Sequence, residues 1–423
     1  MRIACVHVPQ FALQCITRID PALRGGAVAV VAAGSAAAQR HAPVVTACSR
    51  AAWALGVRIG MPAAAAHAIS PEVVVVPADP AIEREAACAL ADALLALAPI
   101  VDAGGRVGPG GAHFALYCAP TKTRGTTFGD RVIARLAELG ITARVGIADD
   151  RFTAWVAASH PTGERRSEHE SVADESVTSV PRGGSAAFLA PRPLSLLAIS
   201  PEVQHMLEAL GVATLGEFAA LPAPSHAVVR PFEADYQALA RGDSGHALRP
   251  YAPEAPISEE VVLGRTTSTP AGIALLAERI ALRLNGRARG AARLEVTAST
   301  EAGPQLLPLT CSAITAEQLA EHVTTAVSSL ASPPWRLRVV VTGEMLLGEP
   351  AAPPLPMSAA AAPAMPASAR SPSTDTLALV LSTTGALGLR AERRDVQHRR
   401  TRRGKQRERR RAEALLQPRL FKS

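Results

Sequence analysis

Residues Val44 to Pro77 set the tightest limits on what this chain can fold into. Val44-Val45-Thr46-Ala47-Cys48 reads as a strand, and Ser49 to Leu55 as a helix. Gly56 and Gly60 bracket Val57-Arg58-Ile59, and Pro62 stands where a second helix begins, as proline at a first helical position prefers. An Ala-rich run follows to Ile69-Ser70-Pro71, then the β-branched run Val73 to Val76, closed by Pro77. The order is strand, helix, Gly-bounded turn, helix, strand. Taken alone, this is an ordinary α/β unit compatible with many functions.

The rest of the chain supplies the context. The apolar start of Met1 to Ala12 reads as a buried strand ended by Pro9, and Gly25 to Ala33 as another. Ile82, Ala86, Leu90, Leu94 and Leu97 recur at helical spacing between Pro80 and Pro99. The glycine cluster Gly104 to Gly111 lacks the G-x-x-x-x-G-K-[ST] pattern of a phosphate loop and reads as a turn. A helix over Arg131–Leu139 stops at Gly140, Ile141–Ala148 alternates like a strand, and residues 151–159 form a helix. The polar stretch Pro161–Gly184 reads as a linker. A helix over 201–210 stops at Gly211, and Thr214 is the N-cap of the next. Strands near Ile257–Leu263, Ala291–Ala298, Leu306–Leu309 and Leu337–Val341 alternate with helices near Ala271–Asn285 and Ala316–Ser329.

Charge is unevenly spread. Residues 390–423 hold 14 Lys/Arg against 4 Asp/Glu, a surplus of +10, so residues 1–389 carry −3 of the chain's +7. Affinity for nucleic acid is dominated by phosphate contacts, so a slightly acidic body argues against a strong grip on DNA by the body alone. Six scattered cysteines with no C-x-x-C pair argue against a zinc site or a disulfide framework, and for a reducing cytosol. The N-terminus does not read as a signal peptide. The longest apolar helical run, Ala86–Val101, contains Asp92 and is too short to span a membrane.

The order and spacing of Val44–Pro62 resemble the fingers of Y-family (translesion) DNA polymerases: Val-x-x-Ala/Thr-x-x-Tyr/Ser-x-Ala-Arg/Ala-x-x-Gly-Val-x-x-Gly-Met/Ile-Pro. The strand 25–33, the helix 80–99 and the segment Val145-Gly146-Ile147-Ala148 with Ala154, Ala157 and Ala158 resemble that family's palm. The resemblance implies an α/β (α+β) right-hand architecture. Its parts are a palm at 1–165 with inserted fingers at about 11–73, a linker at 166–187 and a helix-hairpin-helix thumb at 188–250. An α/β little finger at 255–345, a low-complexity linker at 346–376 and a disordered basic tail at 377–423 follow.

The family holds two Mg²⁺ ions on carboxylates. Aligned on Phe11-Ala12, its Asp-x-Asp pair falls on His7 and Pro9; aligned on Ala112, its Asp-Glu pair falls on Gly110 and Gly111. Asp79, Asp102, Asp149 and Asp150 stand outside the motif positions. The thumb turn Ala198-Ile199-Ser200-Pro201 lacks the family's glycines, which weakens a phosphate grip there.

The chain therefore resembles, over roughly 1–345, the catalytically silent ImuB-type branch of the family. That implies no catalysis, no cofactor and no metal. It implies an adaptor in damage-induced mutagenesis, cytoplasmic and nucleoid-associated. The partners implied are the sliding clamp, an error-prone DnaE-type polymerase, an ImuA-type RecA-like protein and, weakly through the tail, damaged DNA. Gln417, Leu420 and Phe421 match the short clamp-docking peptide Gln-x-x-Leu-Phe: two apolar anchors and an amide at the rim. Arg265, Arg287, Arg289, Arg399, Arg400, Arg402, Arg403 and Lys405 are candidates for DNA contacts, with Arg283 and Arg336 beside them. Two other readings stand open: an active polymerase with displaced metal ligands, and a DNA-binding module working through its basic tail without the clamp.

Overall fold

A strand buried along its whole length, β1 (Ile3–Val8), organises the first part of the chain. The structure is a computed structural model and describes residues 2–32, 43–108, 113–120, 125–160, 176–222, 234–245, 247–253, 256–264 and 266–347. All of these fall within one compact unit, residues 1–354. β1 is the middle of a five-stranded sheet in the order β5 (Val101–Val107), β6 (His113–Cys118), β1, β7 (Arg144–Ala148), β8 (Val177–Ser179). It runs antiparallel to both β6 and β7, whereas β7 and β8 are parallel.

Side chains alternate across a strand, and here both faces are covered. Ala4, Val6 and Val8 pack with Leu116 and Val145 against α4 (Pro80–Leu95) and α5 (Gly125–Glu138). Ile3 and Cys5 pack with Ala115 and Tyr117 on the other face. There they meet α6 (Arg151–Ser159) and the short helices α7 (Ser185–Leu189), α8 (Pro201–Ala209), α9 (Leu215–Ala220) and α10 (Ala234–Ala240). Local chemistry sets the helix ends. Asp79 caps α4, Asp150 caps α6, and Thr214 with Glu217 forms a reciprocal capping box on α9.

α1 (Phe11–Ile19) leads into a smaller sheet, in which β2 (Val28–Val31) lies between β3 (Val45–Cys48) and β4 (Val74–Pro77). Two short helices, α2 (Arg50–Ala54) and α3 (Ala63–Ile69), complete the order expected for Val44–Pro77. Pro62 is the N-cap of α3, one place before the position expected.

The C-terminal part of the unit is a four-stranded antiparallel sheet in the order β11 (Gly303–Ala313), β10 (Arg289–Thr300), β12 (Arg336–Leu346), β9 (Ser258–Val262). Helices α11 (Thr269–Gly286) and α12 (Ala316–Ser328) cover one face with Ile273, Leu276, Ile280, Leu319 and Val323.

Two expectations are corrected. Gly104 to Val107 is the second half of β5, not a turn. The register shifts between Asp102 and Gly105, and Gly104 has φ +65° with no room for a side chain, since a Cβ would stand 1.8 Å from the Ala115 carbonyl oxygen. The span 166–187 also carries β8, whose three residues pair with Val145–Ile147 and extend the sheet. The expected linker at 346–376 and tail at 377–423 lie outside the described residues, apart from Leu346 and Leu347.

Candidate functional site

The family resemblance directs attention to the end of β1. His7 sits on the same face as Ile3 and Cys5, opposite Ala115 of β6 and Arg144 of β7. It is buried, and its Nε2 lies 3.2 Å from Nδ1 of His113, while its Nδ1 has no hydrogen-bond partner among the described residues. Burial, and the neighbouring His113, Arg144 and His160, hold its pKa well below the usual histidine value. Burial also depresses His113. Rings close the place on the far side: His113 is 5.8 Å from Trp155 and 6.1 Å from His160, centroid to centroid. Pro9 is buried too, and its carbonyl accepts the Gln14 side-chain amide at 2.7 Å.

This is a nitrogen-bearing, aromatic environment with the Arg144 cation beside it. Mg²⁺ takes hard oxygen ligands, usually carboxylates, and His7 and Pro9 supply none, so these residues do not fit the ion. Gly110 and Gly111 lie outside the described residues; as glycines they carry no side-chain ligand. Among the described residues no group of three or more His, Cys, Asp or Glu side chains is placed to hold a metal ion.

The four aspartates that could substitute are engaged in the fold. Asp79 accepts Ala81 N–H at 2.7 Å, and Asp150 accepts Thr153 N–H at 2.9 Å, each capping a helix. Asp102 accepts Gly104 and Arg249 N–H, both at 3.0 Å, and the Arg151 guanidinium at 2.7 Å. Burial opposes its ionisation, yet those donors bring its pKa below the ordinary carboxylate value. Asp149 accepts Gly183 N–H at 2.7 Å and Arg2 at 3.2 Å. Burial opposes its ionisation, yet these donors together bring its pKa below the ordinary carboxylate value.

The candidate DNA-contacting arginines separate. Arg287 is corrected: its guanidinium donates to Asp92 at 2.9 and 3.0 Å and to Glu344 at 2.7 Å, and its side chain is 6% exposed. Arg283 is fully buried among Asp92, Glu85 and Glu259 at 2.9–3.0 Å. Arg336 pairs with Glu260. Arg289 is half-buried at the start of β10. Arg265, Arg399, Arg400, Arg402, Arg403 and Lys405 lie outside the described residues, as do Gln417, Leu420 and Phe421. The thumb turn is closed by Ser200, whose Oγ accepts Val203 N–H at 3.4 Å, with Pro201 opening α8.

Sequence reasoning missed the ion-pair network that joins α4 to α11 and takes in Arg18 and Glu259 at 2.5 Å. One signal was visible. Asp92 stands in an otherwise apolar helical run, and a charge there requires a partner.

Residues 6–159 match the impB/mucB/samB family model. The protein ImuB of Caulobacter vibrioides is 29% identical over 255 residues, covering 57% of this chain and 51% of that protein. DNA polymerase IV of Dehalococcoides mccartyi is 36% identical over 88 residues, covering 21% of this chain and 20% of that protein. The chain thus spans about half the length of the ImuB relatives and a fifth of the polymerase. Among solved structures, DinB from Sulfolobus solfataricus aligns over 82% of this chain and 100% of its own, at 17% identity and TM-score 0.45. A binary complex of Dbh DNA polymerase aligns over the same shares at 16% identity and TM-score 0.46. Residues 6–159 are thus similar to the impB/mucB/samB family, and 57% of the chain is similar to the protein ImuB.

Proposed function

We propose that this protein is a non-catalytic Y-family homologue that acts as an adaptor in damage-induced translesion synthesis. The observation that supports this best is His7, buried beside His113, which in turn meets Trp155 and His160, where the resemblance puts a metal-binding carboxylate. Asp79, Asp102, Asp149 and Asp150 cap helices or hold ion pairs, so a rebuilt metal site would have to dismantle local structure.

In this reading the tail carries the linkage. Gln417, Leu420 and Phe421 dock on the sliding clamp, and the protein brings to it an error-prone DnaE-type polymerase and an ImuA-type accessory protein. Arg399, Arg400, Arg402, Arg403 and Lys405 hold DNA electrostatically, with Arg265 and Arg289 as secondary contacts from the body. The protein works in the bacterial cytoplasm, at the nucleoid during damage.

Primer extension by the purified protein with Mg²⁺ or Mn²⁺, beside an active Y-family polymerase, is the test. The expected result is no incorporation at any protein excess. Template-dependent incorporation that Asp102→Asn or Asp149→Asn abolishes would overturn the reading and establish an active polymerase with displaced ligands.

A further inference from the structure

A cavity of about 210 Å³ opens between the α6 face of the five-stranded sheet and the helical segment that follows it. Its walls include Tyr117 of β6, Phe152 and Trp155 of α6, Leu197, and Tyr236 of α10, with the Arg151 guanidinium beside them. Two features make it more than a packing gap. Four aromatic rings line it. The Arg151 guanidinium lies 4.1 Å over the Tyr117 ring and is held there by Asp102, so a planar cation is already fixed in place.

We propose that this cavity binds a planar heterocyclic ring of nucleobase size, stacked on the aromatic walls beside the Arg151 guanidinium. Small pockets that are mostly apolar with a few convergent polar groups are the usual form of a ligand site. Base–aromatic stacking needs only a π-face and tolerates any base. Either a free nucleoside or a base unstacked from a single strand provides that chemistry. The inference does not depend on the adaptor reading: the cavity shares Trp155 with the candidate site, but the claim concerns ligand binding and neither catalysis nor the clamp motif.

Tryptophan fluorescence tests it directly. The chain has three tryptophans, Trp53, Trp155 and Trp335, so the full-length protein with Trp53→Phe and Trp335→Phe reports on Trp155 alone. Adenosine, thymidine, oligothymidylate and N-acetylphenylalaninamide are titrated against it. The expected result is a saturable change in emission with nucleoside or oligothymidylate; the tighter of the two identifies the natural source. Ala198 lies exposed at the cavity mouth, so Ala198→Phe blocks entry without disturbing the core. That variant is expected to weaken binding roughly tenfold or more, the scale of a lost stacking contact, with an unchanged emission spectrum in the absence of ligand. No saturable change with either nucleoside or oligothymidylate, an equal response in Ala198→Phe, or a response to the phenylalanine amide alone would overturn the proposal. The last result would assign the cavity to a protein side chain.

Discussion

Arg283 of α11 and Asp92 of α4 meet at 2.9 Å with neither side chain exposed, although they are far apart in sequence. Asp92 also accepts Arg287 at 2.9 and 3.0 Å and the Tyr251 hydroxyl at 3.0 Å. One carboxylate therefore serves two guanidinium groups and a phenol, and joins the C-terminal sheet to the helix behind the N-terminal one. Arg283 is completed by Glu259 and Glu85, whose charges raise its pKa above the arginine value despite burial.

Asp92→Ala is expected to cost about 3–5 kcal/mol, the range for removing one partner of a buried pair, because it leaves Arg283 and Arg287 short of an acceptor. Urea unfolding followed by circular dichroism would measure it. A second transition, belonging to residues 256–347, is expected to separate from the first. A single transition with an unchanged midpoint would show that the network does not couple the two parts.

Close backbone approach at the same contact gives a second test. A Cβ on Gly286 would stand 1.8 Å from the Asp92 carbonyl oxygen, whereas one on Gly264 meets nothing within 4 Å. Gly286→Ala is expected to destabilise by roughly 1–3 kcal/mol or more. Gly264→Ala should stay within about 0.5 kcal/mol of the parent. Equal midpoints for the two variants would contradict the packing described.

His7 imposes a pH dependence whose sign follows from its environment. Burial and the nearby His113, Arg144 and His160 depress its folded pKa, so the folded state keeps it neutral. The unfolded chain takes up a proton below about pH 6.5. The unfolded state then binds more protons, and stability falls as pH drops through that range. The stabilisation is complete above the unfolded value. A His7→Asn variant is expected to lose less stability between roughly pH 7 and pH 5 than the parent. Parallel curves for the two proteins would remove His7 as the cause.

The tail motif is tested by binding to a purified bacterial sliding clamp. Replacing Leu420 and Phe421 together by alanine is expected to weaken binding roughly 30-fold or more, as losing an interface hot spot does. Binding to single-stranded DNA should keep its steep salt dependence, since the basic residues remain. Unchanged clamp affinity would transfer the weight to the DNA-binding reading of the tail.

Much of the fold was legible before the structure. Helix 151–159, the stop at Gly211, the Thr214 cap and the six-element order of residues 256–347 all follow from local periodicity and capping, which need no distant partner. β8 and the second half of β5 were not legible. Three residues are too few to show a period, and a strand interrupted at Gly104 reads as a turn until its pairing with β6 is known. That positions 7 and 9 carry no carboxylate was also plain from the residues alone, because identity settles which side-chain atoms are present.

What the residues could not disclose is which charges face water. Arg287 reads from sequence as a phosphate contact and is instead spent on Asp92 and Glu344. The sequence by itself determined most of the elements and which side chains stand at positions 7 and 9, since hydrogen-bonding pattern, side-chain period and side-chain chemistry are local properties. Only the tertiary structure decided that His7 is neutral beside His113, and that Arg283 and Arg287 lie buried against α4. Burial and ion pairing depend on groups brought together from distant parts of the chain, and their long-range Coulomb and desolvation terms leave no trace in spacing.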